Sequence, residues 1–135
     1  MSVQMKKVFV SLVFNLVLVF TIVTGAHAYS GIIAFGDSLS DNGVADGVGF
    51  VRMSDGPVWV DYLAQDYGLT ESYINFAFSG ATSYYNNPVG GAYNPALANT
   101  GLLSQVQMIG AIDGNALVSV WAGGNDMLNY ASNPE

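Results

Sequence analysis

The pattern of apolar and polar positions separates a long apolar N-terminal segment from a mixed remainder. Lys6 and Lys7 precede an apolar run over residues 8–23, and Ala26-His27-Ala28 follows that run. A positive start, an apolar run and an A-x-A site are typical of a secretory signal peptide. The run of 16 residues is short for a membrane-spanning helix, which needs roughly 20. We therefore expect residues 1–28 to be a signal peptide cleaved after Ala28, with a retained membrane anchor as the alternative, and the mature chain to be secreted or periplasmic.

Beyond residue 28, short apolar runs alternate with segments rich in Gly, Asp, Asn and Ser. The runs 31–36, 73–76 and 116–121 predict strands, and the first is expected to be buried because no alternation marks a solvent-facing side. Apolar positions at helical spacing predict one helix from near Pro57 to Gly68 and another with Leu102–Ile109 along one face.

Polar residues and glycines mark the helix ends and the longest loop. We expect Ser54 or Asp55 to cap the first helix and Thr100 to cap the second. Asn125 lies where a third helix begins. Residues 79–99 contain five Gly or Pro residues and are interpreted as one loop, of a length that usually carries function.

The order of these elements predicts parallel strands with helices on both faces of the sheet. In such sheets, ligands bind outside the carboxyl ends of the strands. Each predicted strand ends in a small polar or glycine-rich segment: Gly36-Asp37-Ser38, Ser79-Gly80-Ala81 and Gly123-Gly124-Asn125-Asp126. We therefore expect a functional site where these three segments meet.

Composition narrows the chemistry that this site can carry. The 135 residues fit one domain at most, and the absence of cysteine excludes a disulfide scaffold, a zinc finger and thiol chemistry. The formal net charge is −7, and after residue 28 one arginine stands against ten acidic residues, which gives −9. Such a charge disfavours nucleic acids and anionic membranes as partners. The single histidine, His27, lies in the expected signal peptide, so the mature chain has no imidazole.

Ser38, Gly80 and Asn125 are the candidates for this chemistry, and each has a second interpretation. A serine directly after a buried strand can project from the sheet edge as a nucleophile, or it can belong to a turn capped by Ser40 or Asp41. Gly80 can offer its backbone N–H to an oxyanion, or it can be an ordinary loop glycine. The Asn125 amide is a neutral donor suited to an oxyanion, or it caps the next helix.

Two further features were weighed as binding sites. A calcium loop over residues 37–49 is disfavoured because Leu39, Asn42 and Val48 stand at positions three, six and twelve, where an EF-hand needs different residues. We therefore expect no metal and no cofactor. The tyrosines of the 79–99 loop either line an acyl or sugar site or serve as packing aromatics: Tyr84, Tyr85 and Tyr93.

Four segments resemble the GDSL (SGNH) family of esterases and lipases. The runs Phe35–Gly43, Asn75–Thr82 and Gly123–Asp126 are similar to that family's first three motifs, in the same order. The run Gly56–Ala64 is similar to the segment that commonly follows the first motif. The resemblance implies a flavodoxin-like three-layer α/β/α sandwich, the SGNH hydrolase fold.

The resemblance also implies roles for three residues. It makes Ser38 the catalytic nucleophile, and it makes the Ser38 N–H, the Gly80 N–H and the Asn125 side chain the oxyanion donors. The reaction implied is hydrolysis of small-molecule or lipid esters through an acyl-serine intermediate. The alternatives are an acyltransferase that uses the same site and a non-catalytic secreted module with the hydrolase shape.

The family's fourth element is the point where the match fails. That element is an Asp-x-x-His motif, whose histidine is the general base, and residues 29–135 contain no such motif. Family domains are also longer and have more strands. We therefore expect residues 29–135 to be the N-terminal part of such a domain, with an incomplete parallel sheet. The 135-residue chain by itself should then be inactive, because a serine hydroxyl without an adjacent base is a poor nucleophile.

Overall fold

The computed structural model describes residues 28–43 and 52–132. At the centre of these residues is a parallel sheet of three strands, β1 (Ile32–Gly36), β2 (Tyr73–Asn75) and β3 (Leu117–Trp121). The strand order is β2-β1-β3, so that β1 lies between the other two. The predicted strands and their parallel arrangement are confirmed, and each strand agrees with its predicted bounds to within one residue.

The central position of β1 explains its unbroken apolar sequence. All five of its residues are buried, and Ile32 and Ala34 are completely so. The outer strands leave apolar side chains exposed, with Ile74 of β2 at 49% and Val120 of β3 at 55%. A strand with neighbours on both edges and elements on both faces has no solvent side, and its sequence therefore shows no alternation.

Four α-helices lie within the described residues, together with two short 3₁₀ turns over Thr70–Ser72 and Pro95–Leu97. The helices are α1 (Trp59–Asp66), α2 (Pro88–Tyr93), α3 (Leu102–Ile109) and α4 (Gly124–Ser132). Helices α1, α3 and α4 match the three predicted helices. In the described part of the chain, no helix combines the length and the apolarity needed to cross a membrane.

Helix α1 packs on the sheet through two small apolar residues on one face. Val60 and Ala64 are completely buried, Val60 beside Ala34 of β1 and Ala64 beside Ile32 and Leu69. Complete burial of a valine side chain such as that of Val60 contributes about 1.5–3 kcal/mol, and the single methyl group of Ala64 contributes less. This contact fixes α1 against the strand that leads to the candidate site.

The predicted cap of α1 is wrong. The helix begins at Trp59, after an extended Val58 (φ −87°, ψ 167°), so Ser54 and Asp55 lie too far ahead to reach its first turn. Asp61 of the first turn instead accepts a hydrogen bond from the Val58 N–H (2.9 Å). The Ser54 hydroxyl donates to the Gly56 carbonyl (2.7 Å) and closes a local turn.

The predicted cap of α3 is also wrong. Gly101, in an extended conformation, precedes the helix and makes no side-chain cap. The Thr100 hydroxyl is buried and donates to the Leu97 carbonyl (2.8 Å), so it is committed to the preceding turn.

The segment predicted as one loop, residues 79–99, contains the short helix α2 and the second 3₁₀ turn. Two glycines and a proline lower the intrinsic helix propensity of α2, which explains why the local pattern did not predict it. Asn87 caps this helix by accepting a hydrogen bond from the Gly90 N–H (2.7 Å). Asn94 caps the 3₁₀ turn in the same way, from the Ala96 N–H (3.0 Å).

The predicted signal peptide falls almost entirely on residues 1–27, which lie outside the described residues. Cleavage after Ala28 and secretion therefore stay predictions.

Candidate functional site

The strand order places a crevice at the carboxyl end of β1. The chain leaves β1 for β2 on one side and later returns to β3 on the other, and ligands bind where such a reversal occurs. Two backbone hydrogen bonds join the three strand ends. The Asp37 N–H donates to the Trp121 carbonyl (3.1 Å), and the Phe78 N–H donates to the Gly36 carbonyl (3.1 Å).

Ser38 lies on a tight turn directly after β1. The N–H groups of Ser40 and Asp41 both donate to the Asp37 carbonyl (3.0 Å each), and the Leu39 N–H donates to the Asp37 carboxylate (3.1 Å). Ser38 itself is half-buried, and neither its hydroxyl nor its N–H has a hydrogen-bond partner among residues 28–43 and 52–132. Both groups are therefore available to a ligand in the crevice.

Gly80 occupies a position that only glycine fits. Its φ of +85° lies in the left-handed region, and a Cβ there would stand 2.5 Å from the Asn87 Oδ1 and 2.7 Å from the Val89 Cβ. Gly80 is a buried residue, and its N–H has no hydrogen-bond partner within the described ranges. The residue before it, Ser79, donates both its N–H and its hydroxyl to the Asp41 carboxylate (2.7 Å each). The segment of Gly80 is thus bound to the turn that carries Ser38.

Asn125 is the second residue of α4, so the alternative interpretation of this residue as the cap of the helix is wrong. Its side-chain Nδ2 donates to the Ala81 carbonyl (2.9 Å), next to Gly80 in the chain. A side-chain amide has two N–H bonds, so one remains for a second acceptor. The adjacent Asp126 accepts from the N–H (2.8 Å) and hydroxyl (2.7 Å) of Ser83. Helix α4 is therefore joined to the segment after β2.

The structure brings the segments of all three sequence-predicted residues to one edge of the sheet. Asp41 joins the Ser38 turn to Ser79, and Asn125 joins α4 to Ala81. In the part of the chain that the structure describes, no group of three Asp, Glu or His side chains is placed to hold a metal ion.

A buried carboxylate lies directly beside Ser38. Asp37 is 3% exposed, and burial raises its pKa above the ordinary value, with the negative charge of Asp126 adding to the effect. The N–H of Leu39 donates to this carboxylate and partly opposes the rise. The crevice therefore has a residue whose protonation is favoured by folding.

An apolar cavity of about 390 Å³ opens beside Ser38. Two tryptophans form one side of it, Trp59 from α1 and Trp121 from the end of β3, with ring centroids 6.2 Å apart. The Trp59 Nε1 donates to the Ser40 hydroxyl (3.2 Å), which orients that ring. The cavity is lined by Ser38, Leu39, Met53, Ser54, Val58, Trp59 and Trp121. Mostly apolar walls with the hydroxyls of Ser38 and Ser54 suit an apolar group attached to a reactive carbonyl.

Sequence reasoning missed the two tryptophans, which were interpreted only as parts of a helix and a strand. The position of Trp121 at the carboxyl end of a strand, directly before small residues, is the signal by which the sequence could have shown that it borders the crevice. The tyrosines of the 79–99 segment do not line this cavity. Tyr84 and Tyr85 instead pack edge to face with centroids 4.7 Å apart.

Comparison with known proteins supports the same family. A family model described as GDSL-like lipase/acylhydrolase matches residues 32–135. A curated relative named Lipase 1, from Photorhabdus luminescens, is 31% identical over 142 aligned positions, which cover 96% of this chain and 21% of the relative. A phosphatidylcholine-sterol acyltransferase from Aeromonas hydrophila is 33% identical over 147 positions, which cover 97% of this chain and 43% of the relative.

The chain spans less than half the length of either curated relative. The family match covers β1, the Ser38 turn, Gly80 and the β3–α4 segment, and the parallel sheet agrees with the fold that the family implies. By sequence and by fold, this chain belongs to the GDSL-like lipase/acylhydrolase family.

Proposed function

We propose that the protein is a serine ester hydrolase that cleaves acyl esters through an acyl-serine intermediate. The observation that carries this proposal is the pair of unpartnered backbone N–H groups on Ser38 and Gly80, at the same sheet edge, within the described ranges. More than nine in ten buried backbone N–H groups have a partner. Gly80 is a buried residue whose N–H has none, and the unpartnered N–H of half-buried Ser38 lies on a segment bound to that of Gly80 through Asp41. Both groups are therefore suited to a ligand that accepts hydrogen bonds.

The proposed reaction uses these groups in one sequence. The Ser38 Oγ forms a bond to the ester carbonyl carbon while its proton passes to a base, and the carbonyl oxygen becomes an oxyanion. The N–H groups of Ser38 and Gly80 and the Asn125 Nδ2 donate to this oxyanion. The oxyanion collapses, the alcohol leaves with a proton, and the acyl group stays on Ser38. Water then attacks the acyl carbon and releases the acid and the free serine.

The apolar cavity supports an acyl group as the part of the substrate next to the carbonyl. It opens beside the Ser38 side chain, and its walls include Leu39, Trp59 and Trp121. An apolar chain placed there would be removed from water, which favours binding by about 25 cal/mol per Å² of buried surface.

Residues 29–135 contain no histidine, the general base that the family resemblance implies. We propose that it comes from the Asp-x-x-His element that the family resemblance implies. The 135-residue chain should then hydrolyse p-nitrophenyl butyrate no faster than its Ser38→Ala variant does. Robust turnover that Ser38→Ala abolishes would contradict this prediction.

The esterase proposal itself is tested on the product of the complete gene. Ser38→Ala should lower kcat for p-nitrophenyl butyrate by about 10⁴–10⁶-fold, because the nucleophile is removed. Ser72→Ala is the matched control, since Ser72 is exposed and lies just before β2, at the opposite end of the sheet. Full activity in Ser38→Ala would refute the proposal.

A second candidate function is acyl transfer from the same acyl-serine to an acceptor other than water. It is favoured by the likeness to a protein named phosphatidylcholine-sterol acyltransferase. Product analysis with an added sterol or alcohol distinguishes the two. An acylated acceptor as the main product indicates a transferase, and free acid alone indicates a hydrolase.

A further inference from the structure

A series of buried hydrogen bonds joins the segment of Ser38 to the segment of Gly80, and the backbone of residues 36–41 completes it as a ring. Its side chains come from the turn after β1, the segment after β2, the residue that caps α2, the residue before Gly101, and α3. Four of them are completely buried and the fifth, Thr100, is 5% exposed. The members are Asp41, Ser79, Asn87, Thr100 and Gln105, with the backbone of Gly36, and we call them the buried polar ring.

On the Ser38 side, the ring holds the last residue of β1. The Gln105 Oε1 accepts from the Gly36 N–H (2.8 Å), and the Gln105 Nε2 donates to the Gly36 carbonyl (2.8 Å). A side-chain amide thus occupies both backbone groups of Gly36, as a neighbouring strand would. Gly36 stands two residues before Ser38, so this contact fixes the point from which the Ser38 turn departs. The same Nε2 also donates to the Thr100 carbonyl (2.9 Å).

On the Gly80 side, the ring runs through Asn87. The Asn87 Nδ2 donates to the Thr100 Oγ1 (2.8 Å) and to the Ser79 carbonyl (2.9 Å). Its Oδ1 lies 2.5 Å from the point where a Gly80 Cβ would stand, so Asn87 packs directly on Gly80. Ser79 donates its N–H and its hydroxyl to Asp41, which closes the ring at the Ser38 turn.

Members of the ring are close in the chain to both backbone donors of the proposed oxyanion site. Gly36 and Asp41 stand on either side of Ser38 in the chain, and Ser79 directly precedes Gly80. A buried polar network with all its groups bonded holds one arrangement. Oxyanion stabilisation requires such an arrangement, because the donors must lie about 2.7–3.1 Å from the developing oxyanion.

We propose that Gln105 and Thr100 are positioning residues for ester cleavage, which hold the N–H groups of Ser38 and Gly80 at a fixed separation through the buried polar ring. This inference rests on the proposed function. Neither residue faces the apolar cavity, so each acts on the reaction only through the ring. Their loss should therefore weaken binding of the transition state while leaving binding of the ground-state ester nearly unchanged.

The test uses the product of the complete gene and p-nitrophenyl butyrate, with rates normalised to the folded fraction measured by circular dichroism. Gln105→Met removes the amide at nearly constant volume and should lower kcat by about 10- to 100-fold with KM changed less than twofold. Thr100→Val keeps the shape of the side chain and removes the ring's hydrogen bond from Asn87, together with the bond to the Leu97 carbonyl. Because the Gln105 contacts remain, a smaller loss of kcat, about fivefold, is expected. Gln107→Met on the same helix is the matched control, because Gln107 is exposed and makes no hydrogen bond through its side chain within the described ranges.

Lower kcat at unchanged KM in both variants, with Gln107→Met equal to the wild type, supports the inference. Wild-type kcat in folded Gln105→Met or Thr100→Val overturns it, and so does a loss that arises from KM alone. If Gln105→Met does not fold, the kcat of Thr100→Val alone tests the inference. If turnover by the wild-type protein does not depend on Ser38, the proposed function is overturned and this inference with it. If turnover depends on Ser38 but is unchanged in the ring variants, only the inference is overturned.

Discussion

At the residue scale, the candidate site is built from groups that folding forces into unusual surroundings. Gly80 takes a left-handed conformation against Asn87, and Asp37 is nearly completely buried beside Ser38. Burial of a carboxyl group disfavours its charged form, which is why the pKa of Asp37 is raised. The charged form of Asp37 therefore lowers the stability of the fold at neutral pH, and the hydrogen bonds around the site hold it in place.

The raised pKa of Asp37 predicts a specific dependence of stability on pH. The folded state binds the Asp37 proton more tightly than the unfolded state, so this group destabilises the fold as pH rises from about 4 through the raised pKa. Asp37→Asn removes the charge and keeps an oxygen for the Leu39 N–H. We expect Asp37→Asn to be more stable than the wild type at pH 7, with the difference vanishing near pH 3.5, as measured by urea denaturation.

Asp66→Asn is the control for this prediction, because Asp66 is exposed at the end of α1. It should not reproduce the pH-dependent difference. Equal stability of Asp37→Asn and the wild type at every pH would contradict the inference that the buried charge of Asp37 destabilises the folded state.

At the scale of elements, α1 depends on one carboxylate for both its start and its position. Asp61 accepts from the Val58 N–H (2.9 Å) at the start of the helix and from the Asn42 Nδ2 (2.9 Å) in the chain after Ser38. The same carboxylate lies near the Tyr73 hydroxyl, and burial together with that negative charge raises the pKa of Tyr73. Asp61 thus joins α1, β2 and the segment after β1.

Asp61→Ala should destabilise the fold by about 1–2 kcal/mol, because it removes a helix cap and leaves the Val58 N–H without its acceptor. Urea denaturation followed by circular dichroism measures the effect. Asp66→Ala, in the last turn of the same helix, should change stability by less than about 0.5 kcal/mol, since an acidic residue there gains nothing from the helix dipole. Equal losses in the two variants would show that Asp61 has no special role.

At the scale of the whole molecule, the order of the strands decides which residues meet. β1 is central, and the segments after all three strands gather at its carboxyl end. Strand β3 leaves its outer surface exposed, with Val118 at 42% and Trp121 at 51%, and α4 has no buried residue within the described part of the chain. The sheet is consistent with the incomplete α/β sandwich that the family match implies.

Removal of the predicted signal peptide, residues 1–28, is also tested on the whole chain. Expressed in a bacterium with its own N-terminus, the protein should be exported and cleaved, so that mass spectrometry finds a mature N-terminus at Tyr29. Ala28→Phe should block cleavage, because the signal peptidase needs a small residue at that position. His27→Gln, at the middle position of the same site, should be processed normally. An uncleaved wild-type protein held in the membrane would favour the anchor instead.

The sequence by itself determined the strands, two of the helix faces, and the placement of Ser38, Gly80 and Asn125 after strands. These features depend on local patterns, namely apolar runs, helical spacing and glycine-rich strand ends, which act over a few neighbouring residues. The motifs also led to the family, which the family model confirms over residues 32–135.

Only the tertiary structure decided what surrounds those residues. Gln105 contacts Gly36 across 69 positions of the chain, and Asp41 contacts Ser79 across 38, so no local pattern could have paired them. The predicted cap at Thr100 was wrong for a related reason, because its hydroxyl is bonded to the Leu97 carbonyl and to Asn87 of the buried polar ring. The physical reason is that a buried polar group must find a partner wherever the fold places one, and sequence distance does not limit that choice.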